Sequence, residues 1–283
     1  TFNTAANDAT RTGTERMSVQ ATGELLVGVP AREALYGAYP KLQVESTDST
    51  GSVSIFRNSN DANGPALYLG KSRGTSVNSD TIVQDDDHLG AIYWDAADGT
   101  DRGSVGAEIS CFIDGTPGAN DVPSRLQFGT TADGANAPTY RMTILSDGKV
   151  GIGIVPTHNF NLSSAGSVEA RFASTDGDCS LQIASDTDEG QSSILAFNSA
   201  SSTRGSITYD HNTTAASQDM IFKVGDNAVT AFTIQGGGNV VIGTTKRFYL
   251  DGGTHTYITE AAGDQINLVT GGSTAMAWTS SQD

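Results

Sequence analysis

The chain has little of what usually builds a deep core or a reactive centre. Aromatic residues make up 7% of its 283 positions, charged residues 17%, and cysteine occurs twice. No apolar run approaches the roughly 18 residues that a membrane-crossing helix needs, so a transmembrane helix is excluded. Long stretches with helical apolar spacing are missing too, REALYGAY at 32–39 being the one short exception. Basic residues are scarce, 16 against 32 acidic ones, for a net charge of −16. A field of that sign disfavours nucleic acid and anionic membranes as partners. Cys111 and Cys179 stand in unrelated contexts, EISCFID and GDCSLQI, and fit two isolated thiols better than a disulfide scaffold, which needs far denser cysteine. There is no signal peptide at the start and residue 1 is Thr, so the chain reads as a fragment or processed product.

What is present is glycine, at 33 positions, and short polar residues. Asp outnumbers Glu by 24 to 8 and sits mostly beside Gly, Asn, Ser or Thr, the company a turn carboxylate keeps. Apolar residues alternate with small polar ones in short runs, the pattern of half-buried strands. The fold class expected is all-β: tandem modules of short antiparallel strands and hairpins.

One hairpin recurs: RMSVQATGELLVG (16–28), RMTILSDGKVGIG (141–153) and FTIQGGGNVVIG (232–243). Tight turns demand φ > 0, which assigns Gly148 and the run Gly236, Gly237, Gly238 to that role. Longer segments also correspond. KLQVESTDSTGSVSIFRNSND (41–61) matches EARFASTDGDCSLQIASDTDE (169–189), ALYLGKSRG (66–74) falls in the slot of ILAFNSASSTRG (194–205), and GAIYWDA (90–96) matches GSITYDH (205–211). On that alignment 75–89 and 101–121 are insertions, the second holding an extra strand in GAEISCFIDG. The domains are then 1–28, the closing hairpin of a preceding module; 29–40, a linker; 41–153, a first full module; 154–168, a linker; 169–244, a second module; and 245–283, an abbreviated one. Proline in VGVP and GIVP stops pairing from running on at each joint.

Val-Gly-Ile-Gly closings after a hairpin, then x-x-Pro and a new opening such as KLQVES, resemble the shaft and tip modules of bacteriophage tail fibres and tailspikes. They are most similar to regions that precede a C-terminal intramolecular chaperone of the endosialidase type. The resemblance covers about 15–28 and 41–243. It implies a structural virion protein that attaches phage to the host surface, with other tail or capsid proteins and a host glycan or protein as partners. It also implies a chaperone cleaved off after assembly, which an end at Ser280–Asp283 would match, as would simple truncation.

Independent physics favours an elongated homotrimer. Modules this poor in large apolar side chains bury their alternating faces by stacking or by winding chains together, which also removes exposed strand edges. Met142, Ile144, Val150, Ile152, Phe232, Ile234, Val240 and Ile242 are expected to face the trimer core or the module's own packing. A monomeric β-sandwich array would place the same residues in intrachain cores.

Chemical sites are sparse. The four histidines are scattered and form no catalytic spacing, so neither an enzyme nor a cofactor is expected. Asp85, Asp86, Asp87 and His88 could offer oxygen ligands to a cation but lack a known loop spacing; a solvated turn suits them better. GGGN (236–239) precedes a strand, not the helix a phosphate loop requires. NLS and NTT match glycosylation acceptors of a secreted eukaryotic chain, which nothing else here suggests. Tyr93, Trp94, Asp98 and Asp101 are the candidates for receptor contact, because shared positions serve packing and differences between modules are free to bind. An adhesin of the bacterial surface, a polysaccharide-degrading spike and a capsid decoration fibre would use similar modules.

Overall fold

In a computed structural model the described residues are 2–4, 14–35, 38–185, 191–200, 202–243, 246–262 and 265–279. The centre of REALYGAY, the end of the 169–189 match and the terminal 280–283 lie outside them. The protein is nearly all β, with one 3-10 turn among the described residues, at Ala215–Ser217. It divides into two units, Thr1–Ala170 and Arg171–Asp283.

The first unit holds two sheets. One runs in the order β1 (Phe2–Thr4), β2 (Thr14–Val19), β3 (Leu25–Val27), β4 (Leu42–Val44). The other is a six-stranded meander: β5 (His88–Ala96), β6 (Ser104–Ile113), β7 (Ser124–Thr130), β8 (Thr139–Ile144), β9 (Val150–Ile152) and β10 (Phe160–Leu162). The second unit holds a five-stranded sheet of β11 (Ser192–Ser199), β12 (Ser202–Asp210), β13 (Met220–Val224), β14 (Val229–Ile234) and β15 (Val240–Val241). Its other sheet comprises β16 (Arg247–Tyr249), β17 (Tyr257–Ala262), β18 (Gln265–Thr270) and β19 (Ser273–Thr279).

The three recurring hairpins share one turn. Gln20, Leu145 and Gln235 each donate an amide to the carbonyl four residues on, and each accepts the amide of the glycine three residues on. That glycine is Gly23, Gly148 or Gly238, with φ of 90°, 84° and 88°. Gly236 and Gly237 do not take positive φ, contrary to expectation: only the last place before the returning strand needs it, and Gly236 instead lies tight against the Ala215 carbonyl.

After two of these hairpins the chain turns and comes back parallel. Leu25–Val27 pairs with Leu42–Val44, and Val150–Ile152 pairs with Phe160–Leu162. Glu45 and Ser163 donate their amides to the carbonyls of Val27 and Ile152, both at 3.0 Å. Gly28 (φ 75°) and Gly153 (φ 74°) sit under the carbonyl oxygens of Glu45 and Ser163, so close that a methyl group at either would overlap them. At Gly28 and Gly153 this approach requires glycine, whereas Gly243 of the third closing has no such neighbour.

Two expectations about strands need correction. GSVSIF and ALYLG form none, and neither does 169–185. Their apolar side chains stand in solvent, Phe56 at 83% and Tyr68 at 90% exposure, because these alternating runs find no ladder partner within the chain. The alignment of the modules also slips by one strand. Counting back from the shared turn, β6 takes the place of β12 and β5 that of β11, so GAIYWDA belongs with SSILAFNS and SVGAEISCFI with STRGSITYD. Residues 104–113 are thus a core strand of the sheet and not part of an insertion. The real differences are the connections: 97–103 and 131–138 in the first unit, where β11 and β12 almost touch in sequence and 225–228 joins β13 to β14.

Leu26, Ile113 and Val269 are buried, but across the broad sheets the apolar face is the more open one. In the six-stranded sheet Ile92, Ile109, Phe128, Met142 and Ile152 form one cross-strand row, and Cys111, Leu126, Ile144 and Val150 form the next on the same face. Ile92 is 47% exposed and Ile152 38%. The row behind, Ser110, Gln127 and Thr143, is buried. In the five-stranded sheet Leu195, Ile207, Phe222 and Phe232 make an apolar row beside that of Met220, Ile234 and Val240, whereas Ser206 on the opposite face is buried. Phe248, Ile258, Leu268 and Met276 repeat the arrangement in the last sheet.

Candidate functional site

The connections that distinguish the six-stranded sheet lie together. Residues 97–103 and 131–138 both leave the same end of the sheet and border a cleft of about 500 Å³, lined among others by Asp98, Ser104, Thr131, Asp133 and Asn136. Asp98 is not a free ligand there. Its Oδ1 accepts the amides of Thr100 and Asp101, its Oδ2 accepts the Ser104 hydroxyl, and these bonds hold its carboxyl below the usual range. Asp101 accepts the amide of Gly103 at 2.8 Å. Both are therefore turn carboxylates, as their Gly-rich surroundings imply. Arg102 leaves the same loop to pair with Glu45 at 3.0 Å, tying it to the end of β4.

Tyr93 and Trp94, adjacent in sequence, point to opposite faces, as successive strand residues must. Trp94 pairs across to Ala107, beside the row of Ile92 and Ile109 on the apolar face, and is 52% exposed. Tyr93 lies on the polar face opposite Glu108. The structure so separates the two aromatic candidates, and what joins Tyr93 instead is Tyr140. Glu108 pairs with Gly129, and Gly129 with Tyr140, which places both rings and the carboxylate in one row over three strands and a glycine. The buried Ser110 donates its Oγ to Glu108 Oε2 at 3.2 Å and interacts with both phenols, and Tyr140 interacts with the Glu108 carboxylate as well. Burial, then the negative charge of Glu108, pushes both phenols up. Neither Tyr140 nor Glu108 stood out in the sequence, because register alone brings them together.

The acidic turn at 85–87 is a clamp. Asp87 takes two hydrogen bonds from Arg73, at 2.7 and 2.8 Å, and the amide of Gln84, which lower its pKa to about 2. Asp86 pairs with Arg125 at 2.7 Å, and Asp85 accepts the Gly115 amide at 2.8 Å. The main chain of 86 and 87 bonds Ile113 on both sides. His88 stacks on Phe112 at 4.7 Å, and its buried Nε2 has no partner among the described residues. No group of three His, Cys, Asp or Glu side chains among the described residues is placed to hold a metal ion. Cys111 and Cys179 are free thiols.

The eight packing candidates fall on two apolar faces. Met142, Ile144, Val150 and Ile152 share one; Phe232, Ile234 and Val240 share the other. Ile242 joins Phe232, Val240 and Phe248 around an open apolar hollow of about 580 Å³.

No protein-family model matches this sequence, and no curated protein matches it. Similar solved structures include two of one phage domain. The carboxy-terminal domain of the bacteriophage T5 L-shaped tail fibre is 12% identical, with a TM-score of 0.55 over 71% of this chain and 94% of its own. The same domain with its intra-molecular chaperone domain is 12% identical, with a TM-score of 0.53 over 70% of this chain; the chain spans 64% of that longer one. At such identity the likeness is one of fold, and the fold is that of a phage tail-fibre domain.

Proposed function

We propose that this chain is a structural segment of a virion fibre or spike, assembled as a homotrimer and engaged in attachment of the phage to the host cell surface. The observation that carries the proposal is the amount of apolar surface one chain leaves open. The chain exposes 20,793 Å², whereas a compact folded protein of its 29.3 kDa would expose roughly 11,500 Å². The exposed surface includes the ordered apolar rows, the apolar side chains of runs without a ladder partner and the hollow at Ile242. An exposed surface of this size marks an assembly face. Obligate interfaces of several thousand Å² are common. Three copies turning their apolar faces to a shared axis would cover them and leave the polar rows outward. The tail-fibre fold supports the same reading. Other tail or capsid proteins would hold the assembly on the virion, and a host glycan or protein would meet its outer surface. The role needs no catalytic step and no cofactor.

The test is light scattering on the purified protein, followed by competition with phage for adsorption to host cells. A trimer near 88 kDa, three times the 29.3 kDa chain, that competes for adsorption is the expected result. A folded, stable monomer would overturn the assembly, and a trimer that never competes would overturn the attachment role.

A further inference from the structure

With the apolar faces turned inward as proposed above, the outer face of the six-stranded sheet presents the row Tyr93, Glu108, Gly129, Tyr140. We infer that this row is a binding site for an organic ammonium group, held between two tyrosine rings over the Glu108 carboxylate.

Shape comes first. Gly129 has no side chain, and Glu108 leans into the gap: its Cγ and Oε1 lie 2.9 and 3.2 Å from where a β-carbon would be, with Pro138 at 3.2 Å closing the other side. The carboxylate is thereby drawn off strand β6 towards the middle of the row. The two tyrosines flank it from β5 and β8; both interact with Ser110, which is 1% exposed, and Tyr140 also with the carboxylate. These interactions restrain the side chains, and each tyrosine remains open to solvent, 45% for Tyr93 and 38% for Tyr140. Little order has to be imposed when a ligand arrives.

Charge then selects the ligand. Several acidic side chains of this unit have cationic partners: Asp87 with Arg73, Asp86 and Asp114 with Arg125, Glu45 with Arg102, Glu24 with Lys41; Asp48, Asp98 and Asp101 are instead satisfied by amides and hydroxyls of their own turns. No Lys, Arg or His among the described residues makes an ion pair with Glu108. Its charge is felt by both phenols, and Asp95 adds to the field at Tyr93. A half-buried carboxylate without an ion-pair partner among the described residues, flanked by two solvent-open tyrosines, repels anions and suits a cation whose hydration is weak. Aromatic rings over such a cation contribute about 0.5–2 kcal/mol. Ammonium groups are carried by amino sugars and by choline esters; the two differ in hydrogen bonding, because only the primary amine can donate to Glu108.

Choline chloride, D-glucosamine and D-glucose are titrated separately into the intact protein by calorimetry, after light scattering on the same preparation. Choline and glucosamine should bind and glucose should not; Glu108→Gln, which keeps the side-chain shape, should weaken both by about tenfold or more. Tighter binding of choline would assign a quaternary ammonium, and tighter binding of glucosamine an amino sugar. Glucose binding as well as glucosamine, or no binding to a protein that scatters as a trimer, overturns this inference and leaves the fibre assignment standing. A monomer in the scattering step overturns the assembly instead. The three probes on the unaltered protein decide the matter even if the variant misfolds.

Discussion

Two glycines in one hairpin offer a controlled measurement of what holds the modules' ends. Gly148 and Gly153 both have positive φ, 84° and 74°. Alanine at either would be forced towards the left-handed region at a cost of about 1–2 kcal/mol, part of which is recovered from a stiffer unfolded chain. They differ in what a new methyl would touch. Around Gly148 nothing lies within 4 Å, whereas at Gly153 the methyl would overlap the Ser163 carbonyl oxygen, a backbone atom of the parallel return. Relief requires β10 to move away from β9. The amide of Ser163 to Ile152 and that of Val150 to the Asn159 carbonyl would then stretch or break. Each such bond is worth about 1 kcal/mol net. Gly148→Ala should therefore cost about 1 kcal/mol and Gly153→Ala about 3–4 kcal/mol. In a chain this long that corresponds to losses in Tm of roughly 2–4 °C and 6–15 °C. Gly28→Ala, facing Glu45, should behave like Gly153→Ala. Thermal unfolding of the three variants followed by circular dichroism checks this. Equal shifts for Gly148→Ala and Gly153→Ala would refute the reasoning, since the only difference between them is the parallel strand overhead.

Asp87, whose carboxyl is depressed to about 2 chiefly by Arg73, contributes stability that is complete above its ordinary value of 3.8 and lost as pH falls through about 2. Asp87→Asn should flatten that part of the acid-unfolding curve, and an unchanged curve would count against the clamp. Met142→Asp places a charge in the middle of an apolar row and should convert the trimer to smaller species in light scattering, while Thr139→Asp at the sheet's margin should not. Trp94→Ala, on the apolar face, should lower assembly stability and leave the affinity of any ligand on the Tyr93 face unchanged; the reverse result would mean that the faces have been assigned wrongly.

The hairpins were legible because their signal is local: alternation, a turn glycine at a fixed place and a closing Val-Gly or Ile-Gly. The all-β class followed from the same alternation. What could not be read was which strand stands beside which. Alternating runs of similar length are interchangeable to the eye, so GAIYWDA could be set against GSITYDH when the ladder sets it against SSILAFNS. The error carried into the site. It made 101–121 an insertion, although β6 supplies Glu108 and Ser110 at the centre of the outer row. Tyr93 and Trp94 look like one site in the sequence because they are neighbours there, and the two-residue period of a strand is what parts them. Tyr140, 47 positions from Tyr93, needs the whole β5–β8 register before it becomes a neighbour.

The openness of the apolar faces also explains why alternation held in segments that form no strand. Alternating sequence records a demand for two different environments, one on each face, and does not say which chain provides them. In β6, β7 and β8 one row of the polar face is buried within the chain, Ser110, Gln127 and Thr143, with Gln127 Nε2 donating to Thr143 Oγ1 at 3.3 Å, while Tyr93 and Tyr140 on that face stay open. The apolar face of the same strands is left for something else. In 51–57 and 66–70 no edge finds a ladder partner among the described residues, and although Leu69 packs on Gly90 the backbone stays unladdered beside Val53, Phe56 and Tyr68. A stable protein does not leave long alternating segments and continuous apolar rows open at once, because free edges and greasy faces together drive aggregation. Identical chains arranged about an axis meet both demands at once, since every open face then lies against a copy of itself and every unpaired run lies near another. If that is right, strands should appear at 51–57 on assembly, and amide exchange there should be slow in the trimer. Rapid exchange at Ile55 and Phe56 in an intact trimer would show that those runs are surface segments and that their alternation has another cause.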